Sequence, residues 1–201
     1  MSLGPGRLAL VNTADRPQRV HIIGGGGAGK TTLGRQLAAV LDLDLAELDS
    51  GTDLGRLARR PRWVAEGIFV YGAGELLRRA DLIIWLDLPW RVARRRILTR
   101  HLKLTVTGAN PHRGWRLLRR FLMSQRRYYT EPAREPAGPT DWDAITRAAT
   151  ARLLDPHRAR VLVLRSPREV RRWRRALTRR WPQVSVSPGP DGVRGRSNSS
   201  A

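Results

Sequence analysis

Apolar residues along the chain form short runs that alternate with stretches of helical period. Five runs have the length of strands, at about 20–24, 43–48, 63–66, 82–87 and 160–164. Most are continuous and rich in β-branched residues, which is typical of parallel strands buried on both faces, whereas 43–48 alternates apolar and acidic residues. Strands separated by helices predict an α/β fold, with a five-stranded parallel sheet between two layers of helices.

The intervening segments predict helices that each present one apolar face. In residues 30–41 the apolar positions are 33, 37, 40 and 41, one side of a helix. Helices are also predicted after Gly67, at about 90–104 and 114–129, and at 142–154, while 50–61 has room for a loop and one or two turns. Ser166-Pro167-Arg168-Glu169 is a capping box, and Val170, Trp173, Leu177 and Trp181 continue its helix as one apolar stripe.

The length of 201 residues fits one domain with its own core. We expect a flexible leader at 1–19, a folded domain at 20–186 and a disordered tail at 187–201, where Ser, Pro, Gly and Arg dominate. The chain has no cysteine, which excludes disulfides and thiolate metal sites. No segment is long and apolar enough for a membrane span, and we expect a cytoplasmic protein without a membrane partner.

The formal net charge is +21, and lysine occurs only at positions 30 and 103, so arginine supplies nearly all the positive charge. One explanation is a surface that attracts polyanions such as nucleotides or nucleic acid. Another is a coding sequence rich in G and C, which would also account for the abundance of Ala, Gly and Pro. Composition alone leaves both open.

The first strand is followed by Gly24-Gly25-Gly26-Gly27-Ala28-Gly29-Lys30-Thr31-Thr32, which matches the Walker A pattern. Glycines allow several backbone N–H groups to turn toward phosphate oxygens, and the N-terminus of the following helix adds partial positive charge. Lys30 supplies a mobile charge for the β- and γ-phosphates, and the Thr31 hydroxyl can ligate Mg²⁺. The motif predicts a P-loop NTPase fold that binds ATP with Mg²⁺.

With this motif placed, the chain resembles the adenylate-kinase-like P-loop kinases, and among them the branch called DNA topology modulation proteins. Trp63-Val64-Ala65-Glu66-Gly67 is similar to one strand of that branch, and the run from Ala80 to Pro89 is similar to another. The segment from Leu164 to Trp173 resembles its final strand and helix. The resemblance covers about residues 20–130 and 160–181.

The resemblance implies Mg-ATP as donor, a small nucleotide- or nucleoside-like acceptor, and a helical, arginine-rich lid insertion at about 90–157. Arg96 and Arg100 are similar to the arginine pair that opens the lid in adenylate kinases and contacts the transferring phosphoryl group. Two features depart from the relatives. Only thirteen residues separate Asp49 from Trp63, where a longer acceptor-holding segment is usual, and Glu66 replaces the usual Asp.

Three carboxylates follow predicted strands at the edge where open α/β sheets bind ligands. Asp49 could orient the acceptor and accept its proton, or could cap a turn. Either Glu66 or Asp87 should hold Mg²⁺ through water. The apolar run before Asp87 favours that residue, but the resemblance favours Glu66, which we choose, with Asp87 as a structural carboxylate.

Residues 91–127 contain eleven Arg, one Lys and no Asp or Glu. In the second basic helix Trp115, Leu118, Leu122 and Tyr129 are predicted to face the core. Like charges at helical spacing repel, so this cluster favours an anionic partner, either the phosphates under a lid or a nucleic acid. The eight arginines of 165–180 are interpreted as a solvated face.

The sequence therefore favours an ATP-dependent small-molecule kinase, with Lys30, Arg96, Arg100 and Asp49 in catalysis and Thr31 and Glu66 at the metal. Two alternatives remain: a nucleic-acid-binding P-loop ATPase, and a protein that binds nucleotide without turnover. The four histidines have no metal-ligand spacing and are assigned no chemistry.

Overall fold

A computed structural model describes residues 16–48, 52–67, 73–108, 114–138 and 141–181. Five strands alternate with seven α-helices in the described chain, and two short 3₁₀ helices lie at Trp142–Ala144 and Asp155–Arg160. The strands are β1 (Arg19–Gly24), β2 (Leu45–Glu47), β3 (Trp63–Gly67), β4 (Leu82–Leu86) and β5 (Val161–Leu164). The helices are α1 (Lys30–Leu41), α2 (Leu54–Arg59), α3 (Gly74–Arg79), α4 (Trp90–Val106), α5 (Trp115–Thr130), α6 (Arg147–Leu154) and α7 (Pro167–Arg180).

The five strands form one parallel sheet in the order β2-β3-β1-β4-β5. Strand β1 is central, with Ile22 opposite Glu66 of β3 on one side and opposite Ile84 of β4 on the other. Because β3 and β4 both flank β1, their carboxyl ends lie beside the loop that follows Gly24. The predicted five-stranded parallel sheet is confirmed.

Each face of the sheet has its own apolar core. One core joins the sheet to α1 and α7 through residues such as Leu37, Trp173 and Leu177. The other joins it to α2, α3 and α6 through residues such as Leu76 and Leu154. Successive side chains of β1 alternate between the cores, with Ile22 in the first and Ile23 in the second. The predicted three-layer α/β fold is therefore confirmed.

The last helix begins as the capping pattern predicts. The Ser166 hydroxyl accepts a hydrogen bond from the Glu169 N–H at 3.2 Å, and the Glu169 carboxylate accepts one from the Arg165 N–H at 2.7 Å. The first bond satisfies a backbone donor that the first helical turn leaves without a partner, and the second ties Arg165, the residue before the N-cap, to that turn. Trp173 and Leu177 are buried against the sheet, so the predicted apolar stripe packs where expected.

Helices α4 and α5 form an antiparallel hairpin whose far end differs from the sequence prediction. Trp115 was expected to face the core, but 72% of its surface is exposed. Leu102 and Val106, at the end of α4, are also exposed, whereas Leu118 and Tyr128 of α5 are buried. The prediction for Trp115 is wrong because helical period gives an angle around the axis and cannot show where along its length a helix leaves the core.

Four other segments differ from expectation or lie outside the described residues. Strand β2 is shorter than 43–48, and the helix expected at 142–154 is divided into a 3₁₀ turn and α6. The predicted leader falls mostly in 1–15 and the predicted tail lies in 182–201, both outside the described residues. In the part of the chain that is described, no helix is long and apolar enough to cross a membrane.

Candidate functional site

The loop between β1 and α1 has the backbone conformation that a phosphate cradle requires. Strand β1 ends at Gly24 and α1 begins at Lys30. Gly27 has a φ of 77° and Gly29 a φ of 94°, in the left-handed region where side chains are disfavoured. The Ala28 N–H donates to the Gly25 carbonyl at 3.1 Å, which closes the turn. The loop therefore presents the N-terminus of α1, with Lys30 and Thr31, to its open side.

Gly25 and Gly26 lack side chains for a different reason, namely the close approach of α5. A Cβ atom on Gly25 would lie 2.4 Å from the Tyr128 ring, and one on Gly26 would lie 1.8 Å from Gln125 Oε1. The Tyr129 hydroxyl also donates to the Gly26 carbonyl at 3.1 Å. From the sequence, these glycines were explained by phosphate binding alone. The structure gives a second reason, because α5 packs directly on the loop and leaves no room for side chains there.

Glu66 lies beside Thr31 at the end of β3. The Thr31 hydroxyl donates to Glu66 Oε1 at 2.6 Å, and the Glu66 residue is only 4% exposed. Glu66 Oε2 is buried and has no hydrogen-bond partner among the described residues. A buried carboxylate oxygen without a partner is costly unless a cation or water compensates it. The hydroxyl and carboxylate together are the oxygen donors that Mg²⁺ prefers, so the residues present fit this ion.

Asp87, the other carboxylate considered for the metal, is already paired. Both of its oxygens accept hydrogen bonds from the Arg147 guanidinium, with Nη2 at 2.8 Å from Oδ2. Arg165 Nε lies 3.6 Å from the same Oδ2. The hydrogen bond with Asp87 raises the pKa of Arg147 above its ordinary value. Asp87 thereby joins β4 to α6 and to the end of β5. This arrangement supports Glu66 over Asp87 as the carboxylate of the proposed metal site.

Arg96 and Arg100, on successive turns of α4, line the same cavity as the loop. Arg96 Nη1 donates to the Ala28 carbonyl at 2.7 Å, so α4 and α5 each hold one loop carbonyl. Burial lowers the pKa of Arg96, and repulsion from Arg171 lowers it further, while the neighbouring Tyr129 opposes the shift. Arg96 stays a cation because the ordinary arginine pKa is far above neutral.

A cavity of about 670 Å³ brings most of the predicted site residues together. Its wall includes the loop from Gly26 to Thr32 with Glu66, Arg96 and Arg100. Gly24 and Gly25 do not line it, since Gly24 closes β1 and Gly25 lies under Tyr128. Asp49 lies outside the described residues. The volume is in the range of pockets that hold nucleotides and other small ligands.

The cavity also contains residues that the sequence analysis did not assign to the site. They come from α1, α5 and α7 and comprise Gln36, Phe121, Gln125, Val170, Arg171 and Arg174. Arg174 was interpreted as part of a solvated face. Its position, four residues after Val170 and next to Trp173, was a signal that it borders the buried stripe rather than the outer side of α7.

No family model matches this sequence, and no curated protein matches it significantly. Among solved structures, the chain is similar to a shikimate kinase from Bacteroides thetaiotaomicron, with 16% identity and a TM-score of 0.43 over 81% of this chain and 97% of that one.

Two further solved structures match this chain with slightly lower TM-scores. One is a gluconokinase from Sinorhizobium meliloti 1021, with 17% identity and a TM-score of 0.42 over 84% of this chain and 95% of that one. The other is a shikimate kinase from Acinetobacter baumannii in complex with shikimate, with 15% identity and a TM-score of 0.36 over 74% and 96%. None of these matches confirms the resemblance to the DNA topology modulation branch. Values this low identify neither a family nor a reaction, so the function rests on the chain's own residues.

Proposed function

We propose that the protein binds Mg-ATP and transfers its γ-phosphoryl group to a small acceptor of the nucleotide or nucleoside kind. The observation that carries the proposal is one cavity in which the glycine-rich loop, Lys30, Thr31 with Glu66, and the arginine pair Arg96 and Arg100 meet. Phosphoryl transfer needs little covalent chemistry from the protein, because positioning and charge neutralisation lower most of the barrier. These groups are the ones that such a reaction requires.

Each residue has a defined task in the proposed transfer. The loop amides and Lys30 hold the β- and γ-phosphates, and Arg96 and Arg100 neutralise charge on the moving phosphoryl group. An acceptor hydroxyl oxygen forms a bond to the γ-phosphorus while the bond to the β–γ bridging oxygen breaks, so ADP leaves with that electron pair. The hydroxyl proton passes to a base, and Asp49, two residues after β2 in the sequence, is our candidate.

Thr31 and Glu66 would hold Mg²⁺, the threonine through its hydroxyl and the glutamate through a bound water. When bound, the ion shields the phosphate charges and orients the triphosphate. Among the described residues no group of three or more His, Asp or Glu side chains is placed to hold a metal. Mg²⁺ does not need such a cage, because it usually takes one or two protein oxygens together with phosphates and water.

The proposal is tested with the purified protein, Mg-ATP and a panel of nucleosides, nucleotides and small alcohols. At least one acceptor should raise ADP production well above the rate with ATP alone. Lys30→Ala should abolish both ATP binding and this stimulation, and Arg180→Ala, a charge removed from the end of α7 outside the cavity, serves as the matched control. A flat titration of the unaltered protein with millimolar Mg-ATP would contradict the proposal. A cytoplasmic location goes with it, because the donor is found there.

The second candidate function is a nucleic-acid-binding P-loop ATPase. It is favoured by the α4–α5 hairpin, where exposed Trp115 and Phe121 lie among arginines on helices that contain no carboxylate. Basic surfaces with exposed aromatic side chains suit single-stranded nucleic acid. No stimulation by any small acceptor, together with salt-sensitive DNA or RNA binding, would support this candidate. ATP binding with neither response would leave a nucleotide-binding protein without turnover.

A further inference from the structure

Two arginines of α7 face the nucleotide cavity and have no task in the proposed phosphoryl transfer. Arg171 and Arg174 line the cavity together with Val170. Arg174 Nη1 donates to Gln36 Oε1 at 3.0 Å, which fixes its guanidinium against α1. Gln36 lies six residues after Lys30, about 9 Å along the helix at 1.5 Å per residue. The two arginines therefore lie beyond the phosphate loop, on the side where α1 and α7 meet.

The charge of the cavity exceeds what a triphosphate requires. Five cationic side chains line it, with Glu66 as the acidic one; the cations are Lys30, Arg96, Arg100, Arg171 and Arg174. Arg171 is close enough to Arg96 to lower its pKa. Within the described ranges, neither Arg171 nor Arg174 forms an ion pair with a carboxylate. Like charges held together in a half-enclosed site repel each other, and an anion at that point would relieve the repulsion.

We propose that Arg171 and Arg174 form a second anion subsite, which binds a phosphate carried on the ribose of the nucleotide held by the loop. The inference rests on the proposed function, because the loop must first hold the 5′-phosphates. Because Gln36 lies about 9 Å along α1 from Lys30, the Arg174 guanidinium that it holds lies apart from the phosphates at Lys30. Guanidinium groups suit the site because they bind phosphate through two parallel hydrogen bonds.

An adjoining cavity extends the same chemistry along α7. It has a volume of about 510 Å³ and shares Arg171 with the nucleotide cavity; five arginines line it, namely Arg168, Arg171, Arg172, Arg175 and Arg179. Each of these arginines lies three or four residues from another of the set, which places them along one side of the helix. A ribose phosphate at Arg171 could thus belong to a small nucleoside bisphosphate or be the first phosphodiester of an oligonucleotide whose next phosphates follow this row.

The test compares ADP with adenosine 3′-phosphate 5′-diphosphate and its 2′-phosphate isomer, by calorimetric titration of the full-length protein. At least one phosphorylated form should bind ten-fold or more tightly than ADP. The double variant Arg171→Gln/Arg174→Gln should lose most of that gain while it still binds ADP. Arg175→Gln is the matched control, since it removes one arginine charge from the same helix outside the nucleotide cavity. This variant should still bind the phosphorylated form more tightly than ADP.

Equal affinity for ADP and both phosphorylated forms would overturn the subsite, as would a gain that survives in the double variant. Absence of binding by every nucleotide, ATP and ADP included, would instead overturn the proposed function. A second arm compares ATP with 5′-triphosphorylated di- and tetra-adenylate. If the tetranucleotide binds more tightly than the dinucleotide, and this difference is lost when Arg172, Arg175 and Arg179 are replaced by Gln, the subsite is assigned to an oligonucleotide. If the two bind equally tightly, the subsite is assigned to a small nucleotide.

Discussion

His21 lies in the central strand β1, fully buried, and its replacement by valine gives a quantitative test of the sheet interior. It lies opposite Ala65 of β3 and Ile83 of β4, and it alternates with Val20 and Ile22, so it faces the core under α2 and α3. Neither ring nitrogen has a hydrogen-bond partner in the described chain. A charged imidazole in this apolar position would lack compensation.

Burial lowers the pKa of His21 from 6.5 to about 4. Because the folded state resists the proton that the unfolded chain accepts, the stability contribution is complete above pH 6.5 and is lost as the pH falls toward 4. Linkage with these two pKa values gives a loss of about 2 kcal/mol at pH 5 and about 3 kcal/mol in total. His21→Val cannot titrate, so its stability relative to the unaltered protein should rise by about 2 kcal/mol between pH 7.5 and pH 5.

The measurement is urea unfolding of both proteins at several pH values from 7.5 to 5, followed by circular dichroism. Comparison of the two proteins cancels other titrating groups, provided that the urea m-values agree. Identical pH dependence for His21→Val and the unaltered protein would refute the claim that His21 is buried without a partner.

The contact between α5 and the phosphate loop yields two further predictions. Gly25→Ala should destabilise the fold by about 1–3 kcal/mol, because the buried Tyr128 ring blocks the new methyl group. Gly26→Ala should destabilise it less, because the half-exposed Gln125 side chain can rotate away. Equal unfolding midpoints of the two variants in urea would contradict this difference. Tyr129→Phe removes the hydrogen bond to the Gly26 carbonyl and should lower the stability by about 1 kcal/mol. It should also weaken ATP binding several-fold, as measured by calorimetry. Unchanged ATP affinity would show that the bond does not organise the loop.

Local patterns in the sequence were sufficient to predict the cradle and the sheet. The order strand, glycine-rich loop, helix is contained within residues 19–41, and the positive φ angles of Gly27 and Gly29 are conformations that glycine itself permits. The apolar runs of β3, β4 and β5 report burial on both faces without reference to their neighbours. Such features depend on residues close together in the chain, so one sequence shows them.

The different surroundings of Glu66 and Asp87 could not be read from the sequence. Both carboxylates end strands that flank β1, and both follow apolar residues, so the sequence pattern treats them alike. The difference comes from Arg147, sixty residues beyond Asp87, which α6 brings onto that carboxylate while Glu66 is left beside Thr31. An ion pair between residues far apart in the chain leaves no pattern in the sequence around either residue.

The sequence by itself determined that a glycine-rich loop with the Walker A pattern lies at the edge of a parallel sheet, because that arrangement follows from backbone freedom and burial within single elements. Only the tertiary structure decided which distant side chains surround the loop: Tyr128 and Gln125 above Gly25 and Gly26, and Arg171 and Arg174 at the far end of the cavity. The reason is physical. A helical period fixes the angle at which a side chain leaves its axis, but where that axis lies is set by how the helices pack against the sheet and one another.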